Sequence, residues 1–191
     1  ISHLLPDQKP RLSYGVAVTD FDKDGLDEFI VTGFGYENLA LGFDGKSLKN
    51  KIKENIFSDF NRSTIGVAAC DIDKDGHEEI YFLNTDTYSG QKMYSDRLLN
   101  IENKSIVDLF EKDINQDELN LTAGRSVVCV DREGKGNYGV YVANYGGPTR
   151  FYEYIENRVV DLAESLNLDE VTGGRAVVAG HILTDQMDIF A

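Results

Sequence analysis

Short runs rich in Val, Ile, Tyr and Phe recur along the chain, and clusters of Gly, Asn and Asp separate them. Runs of four to eight such residues bounded by turn residues read as β-strands. In the first stretch, residues 14–19 form an apolar strand that runs into an acidic loop, residues 28–32 a second strand, 38–43 a third, and 51–57 a weaker fourth. A second stretch repeats the pattern at 79–83, 97–102 and 105–110, and a third at 139–144, 149–156 and 158–162. Residues 164–168 read as a short helical or loop link.

The pattern is a repeat with an anchor. Asp20, Asp71, Asp131 and His181 stand at matching places after a Gly-led apolar strand, so the period is 51, 60 and 50 residues. Units of about 40–50 residues made of four short strands are the sequence form of propeller blades. The expected fold is therefore all-β, with about three full blades and the start of a fourth across residues 1–191. A propeller closes with about four to eight blades. The expectation is a partial propeller whose remaining blades lie outside this chain.

Two units carry Asp-x-Asp-x-Asp-Gly loops. In the first, Asp20, Asp22 and Asp24 take loop positions 1, 3 and 5, Gly25 the sharp turn, Leu26 a backbone carbonyl and Glu28 position 9. In the second the corresponding residues are Asp71, Asp73, Asp75, Gly76, His77 through its carbonyl, and Glu79. Alternate spacing turns several oxygens to one centre, which suits a hard cation with six to eight oxygen ligands, so two Ca²⁺ sites are expected. Two carboxylates about 5 Å apart repel by roughly 3 kcal/mol at an effective dielectric near 20, so such a cluster needs a cation. An EF-hand is rejected, because it requires a bidentate Glu at position 12 between helices. Position 12 is Val31 in one loop and Phe82 in the other, both in strand-like runs.

The later loops have lost the pattern. Asp131, Glu133, Lys135 and Gly139 occupy positions 1, 3, 5 and 9 of the third, and no calcium is expected there. Lys135 reads by default as exposed, with its ammonium in the ion's place as the alternative. The fourth, from His181 through Leu183 and Asp185, also lacks a ligand set.

Other chemistry is sparse. His3, His77 and His181 lie in no metal or triad spacing, and no nucleophile elbow or phosphate-cradling loop is present. Gly146-Gly147-Pro148 reads as a turn. Cys70 and Cys129 are expected to be buried small hydrophobes. Their offsets from the anchors differ by one, which points them to opposite strand faces and argues against a bond. Arg125 and Arg175 precede matching inner strands and are expected to tie blades together, with a ligand site on the propeller face as the alternative. Tyr141, Tyr145, Tyr152 and Tyr154 are expected to pack rather than to form a sugar platform.

The net charge of −14 and the lack of a Lys/Arg cluster exclude a phosphate-backbone partner, so no nucleic acid is expected. No apolar run is long enough to span a membrane. Residues 1–10 lack the apolar core of a signal peptide, and the first residue is Ile1 rather than Met, so a processed protein or a piece of a larger one is expected.

Asp-rich loops within strand repeats resemble the FG-GAP/VCBS repeats shared with integrin α-subunit propellers. Tyr-Gly-Val-Ala-Val-Thr-Asp at 14–20, Ala-Cys-Asp-Ile-Asp at 69–73, Glu-Glu-Ile-Tyr-Phe-Leu-Asn at 78–84, Ala-Gly-Arg-Ser-Val at 123–127 and Thr-Gly-Gly-Arg at 172–175 are closer still to the cartilage acidic protein family. That resemblance spans nearly the whole chain. It implies a larger, seven-bladed propeller in a secreted, calcium-binding matrix glycoprotein with an extracellular protein or matrix partner. Sequons at Asn61, Asn103 and Asn120 agree with secretion. The expected function is a non-enzymatic extracellular scaffold stiffened by calcium. A carbohydrate-binding or carbohydrate-active propeller is the alternative, and an integrin-type adhesion propeller a third reading.

Overall fold

The computed structural model describes residues 13–191, so His3 lies outside the described residues. Three four-stranded antiparallel sheets follow one another as simple meanders. The first comprises β1 (Val16–Thr19), β2 (Glu28–Val31), β3 (Leu39–Phe43) and β4 (Leu48–Asn50). The second comprises β5 (Thr64–Cys70), β6 (Glu79–Asn84), β7 (Arg97–Glu102) and β8 (Ser105–Asp108). The third comprises β9 (Gly124–Val130), β10 (Gly139–Asn144), β11 (Arg150–Ile155) and β12 (Arg158–Asp161). A two-stranded sheet, β13 (Val178–Gly180) with β14 (Asp188–Phe190), begins a fourth. These are β-propeller blades: β1 packs beside β5, β5 beside β9 and β9 beside β13, so the first strands line one side of the array.

The sheets stack one behind the next, and each interface is a hydrophobic core. Phe21, Ile30 and Phe57 of the first blade meet Ile80, Phe82 and Leu99 of the second. Tyr81, Leu83 and Phe110 of the second meet Val140, Val142 and Tyr152 of the third. Strand β6 therefore sends Ile80 and Phe82 to one neighbour and Tyr81 and Leu83 to the other, and all six of its residues are buried. This two-sided burial explains why second strands read as continuous apolar runs rather than as alternating ones. Tyr141 and Tyr152 pack in cores as expected, and Tyr154 packs at a core margin.

Two expectations are corrected. The fourth strand of the first unit is not 51–57 but Leu48–Asn50. The Asp44 side chain accepts from the amides of Lys46 (2.9 Å) and Ser47 (2.8 Å), and Gly45 adopts φ 90°, so the chain reverses early and pairs at once. The later segment holds a single helical turn, α1 (Asn55–Ser58), because Phe57 is drawn into the interface against Phe21 and Phe82. Secondly, Cys70 and Cys129 form a disulfide between β5 and β9, with Cα atoms 6.2 Å apart. The opposite faces inferred from their offsets are what this bond requires. The facing surfaces of stacked blades are the back of one sheet and the front of the next.

Candidate metal centres

Each blade turns from its first to its second strand through an acidic loop, and the first Asp organises that turn. Asp20 accepts from the amides of Asp24 (3.0 Å) and Gly25 (2.9 Å), and Asp22 from Asp24 (3.1 Å). Asp71 and Asp73 repeat these bonds to Asp75 and Gly76 at 3.0–3.1 Å. A left-handed residue in each loop, Lys23 (φ 63°) and Lys74 (φ 66°), folds the backbone back over the acids.

The loops bring together the position 1, 3 and 9 acids. Oxygens of Asp20, Asp22 and Glu28 lie within 4.8 Å of one another, as do those of Asp71, Asp73 and Glu79. Among the described residues these are the two acid groups of this kind. Asp24 and Asp75 stand apart from them. Asp24 pairs with Lys51 at 3.3 Å and accepts from the Leu26 amide, while Asp75 pairs with Lys23 at 3.5 Å and accepts from the His77 amide. The Leu26 and His77 side chains are exposed, which leaves their role to the backbone.

Glu28 and Glu79 are the unusual members. They are 0 % and 1 % exposed, at the floor of each loop. Glu79 accepts from the amides of Ile72 (2.9 Å) and Asp73 (3.4 Å) through one oxygen, and the other is buried without a hydrogen-bond partner. Both Glu28 oxygens are buried without such a partner. Burial first, then Asp22, pushes the Glu28 carboxyl up to about 7. Burial first, then Asp73, pushes Glu79 up to about 8. Buried oxygens without donors are costly and call for a missing partner. Three convergent carboxylates and hard oxygen donors suit a divalent cation such as Ca²⁺. The residues fit the ion.

Sequence reasoning missed Asn100, whose amide donates to the far oxygen of Asp73 at 3.0 Å from β7. Nothing in the loop spacing signals a residue 27 positions away. The third loop keeps the Asp131 turn, with bonds from Lys135 N (3.1 Å) and Gly136 N (2.7 Å). At its position 9, however, a β-carbon on Gly139 would lie 2.6 Å from the Phe151 ring. Arg132 forks onto Glu153 beside it at 2.5 and 3.2 Å. Lys135 is exposed and pairs with Glu133 at 3.1 Å. In the fourth loop, one residue shorter, Asp188 stands eighth from His181, at the start of the second strand, and accepts from the amides of Ile182, Leu183 and Thr184.

An FG-GAP-like repeat family matches residues 20–82, which contain both acid triads. Cartilage acidic protein 1 of Homo sapiens is 40 % identical over 94 % of this chain, and that of Xenopus tropicalis 39 % identical over the same share. The chain is homologous to the cartilage acidic proteins. It spans about a third of these relatives' length, 31 % and 32 %. Their likeness covers all three complete blades and both acidic loops, so the blade repeat and its family resemblance rest on the same residues.

The sequons stand in different surroundings. Asn61 and Asn103 are exposed. Asn120 is fully buried, and its amide donates to Asp96 at 2.6 Å and Asn144 at 3.0 Å. A glycan on that nitrogen is incompatible with this packing. Among the described residues no helix is long and apolar enough to cross a membrane.

Proposed function

We propose that this chain is part of a larger extracellular propeller that binds two calcium ions and serves as a rigid, non-enzymatic scaffold. The observation that carries the proposal is the pair of buried glutamates in the acid triads, both oxygens of Glu28 and one of Glu79 being buried without a hydrogen-bond donor. Asp20, Asp22 and Glu28 would ligate one ion, and Asp71, Asp73 and Glu79 the other. Asp24 and Asp75 would swing in from the loop rim, and the Leu26 and His77 carbonyls would complete each shell. Bound calcium would supply charge neutralisation and fixed loop geometry.

Three features support the wider reading. The disulfide suits an oxidising compartment. Asn61 and Asn103 are exposed acceptors for glycans. On the outer face of the first blade Val16, Val18 and Phe43 are more than half exposed. Such an apolar sheet face suits a further blade, consistent with the longer relatives. The partner would be an extracellular protein or matrix component.

Isothermal titration with calcium should give two sites, and the Asp22→Ala, Asp73→Ala double variant none. Two sites persisting in that variant would refute the ligand assignment.

A further inference from the structure

The end of the blades opposite the acidic loops carries an arginine and tyrosine cluster drawn from four units. Arg125 opens β9, Arg175 precedes β13, Tyr88 follows β6, Tyr145 follows β10 and Tyr14 precedes β1. The guanidinium of Arg125 lies 5.0 Å from the Tyr88 ring centre and 5.6 Å from that of Tyr145, and Arg175 lies 5.9 Å from Tyr145. Tyr88 and Tyr145 pack edge to face at 5.5 Å. Arg125 donates to the Tyr88 carbonyl, and Arg175 to the Tyr88 hydroxyl at 2.7 Å. This answers part of the expectation, since the arginines do tie blades together.

Tying blades together uses little of their capacity. A guanidinium has five N–H donors. Among the described residues each of these two makes one hydrogen bond and no ion pair with a carboxylate. That is unusual in a chain of net charge −14. Beside them lie two adjoining hollows of about 420 and 340 Å³, walled also by Tyr14, Ser63 and Thr87. Tyr14 and Tyr88 are 59 % and 65 % exposed. Asp86 lines the first hollow too, but its carboxylate is held by the Met93 and Tyr94 amides at 2.8 and 3.2 Å.

We propose that this cluster is a binding site for an acidic saccharide bearing a carboxylate on about every second ring, that is, a uronate-containing glycan. Stacked guanidinium groups hold a carboxylate in a fork. Exposed tyrosine rings offer apolar surface to the C–H groups of a pyranose, and Ser63 and Thr87 in the wall carry hydroxyls that suit its alcohols. Main-chain groups of the wall are already paired, as in Thr85 N to Ser63 O (3.0 Å) and Gly90 N to Tyr145 O (2.9 Å). A saccharide, which is read by side chains, therefore fits this wall better than a peptide, which also needs main-chain partners. Two guanidiniums in an acidic molecule match a sparse carboxylate. A polysulfated chain would extend beyond the roughly 8–10 Å reach of their field into net repulsion.

The test uses the calcium-saturated protein. A uronate–N-acetylhexosamine tetrasaccharide is titrated at 50 and 300 mM salt. A neutral N-acetylglucosamine tetramer, an oversulfated tetrasaccharide and a Glu-rich peptide are the comparison arms. The uronate probe should bind best and weaken with salt. The Arg125→Gln, Arg175→Gln variant should lose about 10- to 100-fold in affinity, the span of one charge-assisted hydrogen bond. Its calcium titration should stay intact, which separates this site from the metal loops. Equal binding by the neutral tetramer or the double variant overturns the proposal, as does tighter binding of the sulfated chain or peptide, or none at millimolar concentration. Should the double variant misfold, amide shift mapping on the unaltered protein decides. Uronate-induced shifts at Tyr88, Arg125 and Tyr145 support the site, and shifts confined elsewhere overturn it.

Discussion

Replacing Glu79 by Gln should have opposite effects with and without calcium. The side chain is 1 % exposed, and its carboxyl is pushed to about 8 by burial and by Asp73. A carboxyl raised in the folded state contributes stability below its ordinary value of 4.5 that is lost as pH rises through about 8. In chelator at pH 7.5 the folded protein must keep this acid largely protonated. Each pH unit above 4.5 costs about 1.4 kcal/mol, an upper limit near 4 kcal/mol. The repulsion agrees in scale: oxygens within 4.8 Å interact by about 3 kcal/mol at a dielectric of 20. Gln removes the titration, keeps an acceptor for the Ile72 amide and offers donors to Asp73. The variant should therefore be more stable than the parent in chelator by about 1–4 kcal/mol. At 2–4 °C per kcal/mol, its melting temperature should rise by several degrees. The gain should shrink towards pH 5. In millimolar calcium the order reverses, because a ligand charge is gone, and the second site should weaken by at least tenfold. Melting curves at pH 5 and 7.5 with chelator or calcium, beside a calcium titration, test both halves. A variant less stable in chelator, or one with unchanged calcium affinity, would refute the reasoning.

Three further outcomes follow from the fold. Exchanging both Cys70 and Cys129 for Ser should cost up to about 4 kcal/mol from closure of the 59-residue loop, read as a lower denaturant midpoint that reductant no longer shifts; a change under 1 kcal/mol would count against the bond. Lys92→Met should destabilise by about 3–5 kcal/mol, because Lys92 and Asp96 form a fully buried ion pair, with Asp96 also held by Tyr81 and Asn120; equilibrium unfolding measures it, and a neutral result would show that the hydrogen bonds alone satisfy Asp96. Glycopeptide mass spectrometry after secretory expression should find glycans at Asn61 and Asn103 and none at Asn120, whose amide is buried between Asp96 and Asn144; an occupied Asn120 in folded protein would contradict its packing.

Strand runs, loop acids and the repeat were legible in the sequence because each depends on neighbours a few residues away. The continuous apolar run within 79–84, the Asp-Gly turns and the 51-residue spacing from Asp20 to Asp71 are local statements about backbone and side-chain pattern. They determined the blade, its four strands and the acids at positions 1, 3 and 9. The weak strand at 51–57 misled because Phe57 looks apolar in any setting, and only the core against Phe82 makes it helical. Contacts between blades were decided by the tertiary structure alone. The Cys70–Cys129 bond and the Arg97 contact to Asp59 join different units, and the Asn100 contact to Asp73 links a loop to a distant strand of the same blade. Within the arginine and tyrosine cluster the bonded pair Arg175 and Tyr88 stand 87 positions apart. Stacking sheets face to back determines which residues meet, and that geometry has no period along the chain. The acids of the two loops were therefore readable from sequence, while the depth of Glu28 and Glu79 beneath them came only from the packing of neighbouring strands.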